Sequence, residues 1–132
     1  MKDNSDSTIL LVEDSFLDVA IIRAALKKAE IVTDLIHIGN GDEALEYLKG
    51  KRTRPTFIIL DINLPGKNGY DILRFIRTTA EYQNIKVVVF TGEENQDEKK
   101  LAKWPPDMLL RKPRSYEEYQ IIVNMLCQEW LK

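Results

Sequence analysis

Three carboxylates, a hydroxyl and an ammonium stand just beyond apolar runs in this sequence. Glu13 and Asp14 follow the run 9–12, Asp61 follows 57–60, Thr91 follows 87–90, and Lys112 follows 108–110 after one intervening residue. If the fold brings them together the carboxylates repel, since two like charges about 4 Å apart cost about 4 kcal/mol at an effective dielectric of about 20. A cation or protons must offset that cost. An all-oxygen site favours Mg²⁺, which keeps several waters and takes one or two carboxylates together with a phosphoryl oxygen. Three carboxylates set against one Mg²⁺ and the Lys112 ammonium sum to zero. A divalent ion, an ammonium and a hydroxyl around one carboxylate are the parts that stabilise a transferring phosphoryl group. The carboxylate itself can be the nucleophile, forming an aspartyl phosphate. Taken singly, each residue has a plainer reading: Glu13 and Asp14 as the acidic start of a helix, Asp61 and Thr91 as caps or turn residues, Lys112 as a surface charge. Their joint placement, each after its own apolar run, favours the site.

Such a site needs a scaffold that ends several strands at one edge. The runs 9–12, 57–60 and 87–90 are continuous rather than alternating, which fits strands covered on both faces of a parallel sheet. The runs 35–38 and 108–110 are weaker and suit sheet edges. Between them Val19, Ile22 and Leu26 form one helical stripe, Ala44, Leu45 and Leu48 a second, Leu73, Ile76 and Ala80 a third, and Tyr116, Tyr119, Val123, Leu126 and Trp130 the last. Asn40-Gly41 opens the second helix, Pro65-Gly66 and Asn68-Gly69 turn the chain after the third strand, and Pro105-Pro106 ends a short fourth helix. Five βα units with right-handed crossovers predict an α/β fold, a flavodoxin-like doubly wound five-stranded parallel sheet in the order 2-1-3-4-5. In such sheets ligands bind beyond the carboxyl ends of the strands at the switch in strand order, where these residues fall.

At 132 residues the chain fits one domain, expected over residues 8–132 after a polar tail at 1–7, with no separate output or DNA-binding domain. A net charge of -2 argues against a nucleic-acid footprint. No apolar run exceeds four residues, so no membrane span is expected, and the start lacks the apolar centre of a secretory signal. The single cysteine, Cys127, has no intramolecular disulfide partner and suits a cytoplasmic setting. It reads as a small helix-face hydrophobe, and His37 as half-buried packing in the second strand, away from the site.

The strings Ile9-Leu10-Leu11-Val12-Glu13-Asp14-Ser15 and Leu60-Asp61-Ile62-Asn63-Leu64-Pro65-Gly66-Lys67-Asn68-Gly69, with Thr91-Gly92 and Lys112-Pro113, resemble a two-component response-regulator receiver domain. The resemblance runs from about Thr8 to Trp130. It implies that Asp61 accepts a phosphoryl group from a phosphohistidine on a sensor histidine kinase in a Mg²⁺-dependent reaction. Asp14 would ligate Mg²⁺ directly, Glu13 through water, and Asn63 through its backbone carbonyl. Lys112 would pair with a phosphoryl oxygen next to a cis Lys112–Pro113 bond, Thr91 would turn its hydroxyl onto the phosphoryl group, and Gly92 would leave the crevice open. By the same resemblance the chain is a phosphoacceptor signalling domain rather than an enzyme. It would take phosphoryl groups from small donors, lose them by its own hydrolysis, and signal to an unidentified downstream protein. Asn63 and Glu93 occupy positions that modulate attack by water, and their types resemble chemotaxis-type receivers with a short-lived phosphoform. Residues 18–38, Asp61-Ile62-Asn63-Leu64-Pro65 and the ending Glu129-Trp130-Leu131 resemble stand-alone regulators paired with bacterial phytochrome kinases.

The pattern has one departure. Three residues before the lysine the family usually carries Tyr or Phe, which rotates when the Thr moves; here Leu109 stands there, and backbone shifts are the alternative route for the signal. Ile121, Ile122 and Met125 widen the apolar surface of the last helix, which reads equally as a broad core face or as a homodimer or partner surface made with the fourth helix and fifth strand. Other functions fit these residues less well. A phosphorylation-independent scaffold is disfavoured by the intact set of site residues. A Mg²⁺-dependent phosphohydrolase would need a second carboxylate where Asn63 stands. A nucleotide or flavin site is disfavoured because no glycine-rich loop follows the first strand.

Overall fold

Each apolar run becomes a strand of one parallel sheet. The computed structural model describes residues 2–50, 54–66, 68–92 and 96–131, with side chains from Ser7 onward. It alternates β1 (Lys2–Val12), α1 (Phe16–Lys28), β2 (Ile31–Ile38), α2 (Gly41–Lys49), β3 (Phe57–Asp61), α3 (Gly69–Thr78), β4 (Lys86–Thr91), α4 (Glu98–Lys103), β5 (Met108–Arg111) and α5 (Tyr116–Trp130). The strand order is β2-β1-β3-β4-β5, every neighbouring pair parallel, which is the flavodoxin-like arrangement expected.

The continuous runs follow from burial on both faces. Successive strand residues point to opposite sides. Ile9, Leu11, Phe57, Ile59, Val88 and Phe90 therefore pack with α1 and α5, through Val19, Ile22, Leu26, Tyr119, Val123 and Leu126. Leu10, Val12, Ile58, Leu60, Val87 and Val89 pack with α2 and α3, through Ala44, Leu48, Ile72, Leu73 and Ile76. On α5 the broad apolar surface is mainly a core face: Ile122 and Met125 lie against the first of these clusters, whereas Ile121 is exposed.

Two expectations need correction. The N-terminal residues do not form a polar tail, because β1 begins at Lys2, with Lys2 opposite Ile31 and Asp3 opposite Val32 and a register break before Thr8. A strand ladder is made by backbone groups, so polar composition does not prevent it. Near the break, Thr33 Oγ1 donates to the Ser7 carbonyl at 3.0 Å. Ala80 is not part of the third helical stripe, since α3 ends at Thr78 and Thr79 turns extended (φ −106°, ψ 119°). The fourth helix is short and ends where expected, at Lys103 with its C-cap Trp104 directly before Pro105-Pro106, and it buries none of its residues.

Candidate functional site

Local sequence sets the loops around the site. Ser15 caps α1, its Oγ accepting from the Asp18 N–H at 3.2 Å, and so turns the chain directly after Glu13 and Asp14. After Asp61 the backbone stays close to the sheet, with the Ile62 N–H on the Phe90 carbonyl at 3.1 Å and the Gly69 N–H on the Ile62 carbonyl at 3.0 Å. A Cβ on Gly69 would stand 2.6 Å from Ile62 Cα and 2.9 Å from the Asp61 carbonyl, so only glycine admits this approach. Asn68 then opens α3 with a capping box completed by Asp71.

The strands deliver the expected residues to one crevice. Carboxylate oxygens of Glu13, Asp14 and Asp61 all lie within 4.8 Å of one another. Glu13 and Asp61 are buried and Asp14 is exposed at the mouth. The Lys112 ammonium reaches Glu13 Oε1 at 2.9 Å and Asp61 Oδ2 at 3.3 Å. Asp61 Oδ1 accepts the Asn63 N–H at 3.0 Å, and Glu13 Oε2 accepts the Ser15 N–H at 3.1 Å. Thr91 is buried at the end of β4, its carbonyl holding the Lys112 N–H at 2.8 Å. A Cβ on Gly92 would meet nothing within 4 Å among the described residues. Three hard oxygen donors of this kind suit a hard divalent cation.

Burial dominates the electrostatics. It pushes the Glu13 carboxyl up to about 7, against the hydrogen bond from Lys112. Burial alone would lower the Lys112 ammonium, but hydrogen bonds to Asp18 and Glu13 and the charge of Asp61 outweigh it and hold it above its ordinary value. Burial, followed by the nearby Asp18 carboxylate, raises the Tyr119 phenol above its usual range. That hydroxyl has no hydrogen-bond partner among the described residues.

Asp18 is the residue that sequence reasoning missed. Its Oδ2 lies 2.8 Å from Lys112 Nζ, adding a fourth carboxylate to the neutral sum drawn from the sequence. An acid in the first turn of a helix already has a sufficient reason to be there, so its sequence signal is not distinctive. His37 is half-buried as expected, but it is not remote from the site: its Nε2 lies 2.6 Å from the Glu13 carbonyl oxygen, with the Phe16 ring edge-on to the imidazole. The Lys112–Pro113 bond is trans, correcting the cis expectation. Trans is the lower-energy form by about 0.5–1 kcal/mol even before proline. Leu109 is 42% exposed and lies on the same face of the sheet as Thr91, beside Val89 in the ladder. Glu93 lies outside the described residues.

This combination of a doubly wound sheet with an acidic pocket and a lysine at its carboxyl edge defines a class. Residues 9–124 match the response regulator receiver domain, and the chain belongs to that family, which is one of signalling rather than catalytic proteins. Among curated relatives, response regulator Rcp1 of Synechocystis sp. is 35% identical over 102 residues, covering 74% of this chain and 69% of Rcp1. The Mn²⁺-bound structure of response regulator Rcp1 superposes with a TM-score of 0.84 at 31% identity, over 96% of this chain and 95% of that one. The phosphorylated cyanobacterial phytochrome response regulator RcpA superposes with a TM-score of 0.86 at 28% identity, over 96% and 94%.

Proposed function

We propose that this chain accepts a phosphoryl group on Asp61 from a phosphohistidine of a sensor histidine kinase, with Mg²⁺, and signals through protein–protein contacts in the cytoplasm. The observation that carries the reading is the convergence of Glu13, Asp14 and Asp61 within 4.8 Å, with the Lys112 ammonium 3.3 Å from Asp61 Oδ2. Glu13, Asp14, Asp61 and the Asn63 backbone carbonyl would hold the cation. Bound there, Mg²⁺ would supply positive charge against the phosphoryl oxygens.

The chain's own groups do the rest. A carboxylate oxygen of Asp61 forms the new bond to phosphorus as the phosphorus–nitrogen bond to imidazole breaks, and the imidazole nitrogen keeps the electron pair. Lys112 supplies an N–H and a charge to the phosphoryl oxygens, and the Thr91 hydroxyl a further donor. The Asn63 N–H on Oδ1 fixes the rotamer of the Asp61 carboxylate before reaction. In the separate hydrolysis step, water attacks phosphorus and the Asp61 carboxylate leaves with the electron pair of the broken phosphorus–oxygen bond, releasing inorganic phosphate; with an amide at Asn63 and a carboxylate at Glu93, the phosphoform is short-lived. Likeness to a phytochrome response regulator supports a phytochrome-type kinase as donor. The surface of α4, β5 and α5, where Leu109 and Ile121 are exposed, is offered to the downstream protein or to a second copy.

Intact-mass spectrometry after incubation with Mg²⁺ and a small acyl phosphate tests the reading. One added phosphoryl group, dependent on Mg²⁺ and absent from Asp61→Asn, is expected. No modification under conditions that phosphorylate another receiver would leave a phosphorylation-independent scaffold.

A further inference from the structure

Glu13 stands where the β1–β2 ladder ends, and its two backbone groups are held differently. Its N–H donates to the Ile38 carbonyl at 3.0 Å, the last regular rung. In a parallel ladder the following rung would bring the Asn40 N–H to the Glu13 carbonyl. β2 stops at Ile38, however, and Asn40 turns away to cap α2, its side chain accepting from the Glu43 N–H at 2.9 Å. The side chain of His37 supplies the donor instead, with Nε2 2.6 Å from the Glu13 carbonyl oxygen. A carbonyl oxygen only accepts, so this nitrogen carries the proton. The Phe16 side chain, itself 83% exposed, stands edge-on to the imidazole with ring centroids 6.2 Å apart. An edge-to-face pair of this kind favours one orientation of the ring.

The carbonyl that His37 holds belongs to the peptide joining Glu13 to Asp14. That peptide is planar, so a donor on its oxygen sets the plane and with it the Cα of Asp14. Glu13 has anchors of its own: its side chain is buried, takes the Ser15 N–H at 3.1 Å and meets Lys112 at 2.9 Å. Asp14 is exposed, and its place depends on the backbone that carries it.

Resting on the reading of Glu13, Asp14 and Asp61 as the ligands of the cation, we propose that His37 is a positioning residue for Mg²⁺. Its Nε2–H holds the Glu13–Asp14 peptide so that the Asp14 carboxylate stays within reach of Glu13 and Asp61. His37 touches neither the cation nor the phosphoryl group; it acts through the backbone, from the end of β2.

Isothermal titration of the full chain with MgCl₂ alone tests this without a phosphodonor. His37→Leu removes the donor and is expected to weaken Mg²⁺ binding about tenfold, the usual scale for partners that orient metal ligands. His37→Gln carries an amide nitrogen that reaches where Nε2 stands, and is expected to restore most of the affinity. His37→Asn is polar but one bond shorter; it is expected to bind as weakly as His37→Leu, and serves in its place if the leucine variant does not fold. Timed intact mass with acyl phosphate gives a second readout. The donor-less variants should need about tenfold more Mg²⁺ for half the maximal rate, yet reach the wild-type rate at saturation. A general loss of structure would lower that maximal rate. Wild-type affinity in His37→Asn, equal weakness in His37→Gln, or a lowered maximal rate with an unmoved Mg²⁺ requirement overturns the positioning role. A wild type that binds Mg²⁺ but gains no phosphoryl group overturns the phosphoacceptor reading alone, and one that binds no Mg²⁺ overturns both.

Discussion

The Lys112 ammonium stands 2.9 Å from Oε1 and 3.1 Å from Oε2 of Glu13, yet this contact does not offset the burial of the carboxylate. Burial raises Glu13 from 4.5 to about 7. Between those values the folded protein holds a proton that the unfolded chain releases, so folding stability falls as pH rises through the window and the loss is complete above about 7. The size is on the order of a few kcal/mol, since a tenfold change in proton affinity corresponds to about 1.4 kcal/mol. Urea unfolding from pH 5 to 8 in the presence of a chelator should show this slope. Glu13→Gln should flatten it and exceed the wild type in stability at pH 8; an unchanged slope in the variant would assign the effect elsewhere.

Gly69 marks where the acceptor loop passes closest to a helix start. Its missing Cβ would meet backbone atoms of Ile62 and Asp61 at 2.6–3.0 Å, and backbone cannot rotate away as a side chain can. Gly69→Ala should cost about 1–3 kcal/mol of stability, as overpacking does. Because the strain falls on the residue after Asp61, the rate of phosphorylation should fall as well. A variant that unfolds at the wild-type urea concentration would refute the close approach.

Much of this architecture is readable from side-chain order alone. The runs 57–60 and 87–90 lack polar interruptions because both faces of β3 and β4 are covered, and parallel pairing then places Asp61 and Thr91 at one edge. Asn40 and Pro65-Gly66 announce turns by their own backbone preferences. Other features depend on partners distant in sequence. The early start of β1 is made by backbone pairing with β2, to which polar side chains are indifferent. Asp18 gains its role only because Lys112, far along the chain, ends β5's loop beside it. The Tyr119 stripe position identifies a core residue, and nothing in that periodicity shows that the Asp18 carboxylate, from the other end of the chain, lies near its hydroxyl.

At the opposite pole of the sheet, Arg77 ties three elements together. Its guanidinium donates to the carbonyls of Pro105 at 2.7 Å, Ile85 at 2.8 Å and Gln83 at 3.1 Å, and to Asp107 Oδ2 at 2.9 Å. The same Asp107 oxygen accepts the Val87 N–H at 2.8 Å. Arg77→Met keeps the apolar stem but strands these acceptors, and should cost about 2–4 kcal/mol. Phosphorylation of the folded fraction should proceed at the wild-type rate, since the clasp does not touch the crevice. Urea unfolding and timed intact-mass spectra separate the two effects. Equal stability of variant and wild type would show that the clasp is replaced by water at no cost.

Removing negative charge from the crevice and adding positive charge to it should act alike on stability. Glu13, Asp14 and Asp61 repel one another when ionised, and Lys112 supplies one positive charge to this group. Mg²⁺ at a hundredfold above its dissociation constant should raise the unfolding free energy by about 2.7 kcal/mol, if the unfolded chain does not bind it. Asp14 is exposed, so Asp14→Asn buries no new polar group. That variant should be at least as stable as the wild type without metal, and should lose most of the gain with it. The cation also favours ionised Glu13, so saturating Mg²⁺ should flatten the pH slope described for the chelated protein. Denaturation midpoints with and without Mg²⁺ at pH 6 and 8 measure all of these together. A midpoint that does not respond to Mg²⁺ at either pH would mean that the carboxylates are balanced by Lys112 and protons alone.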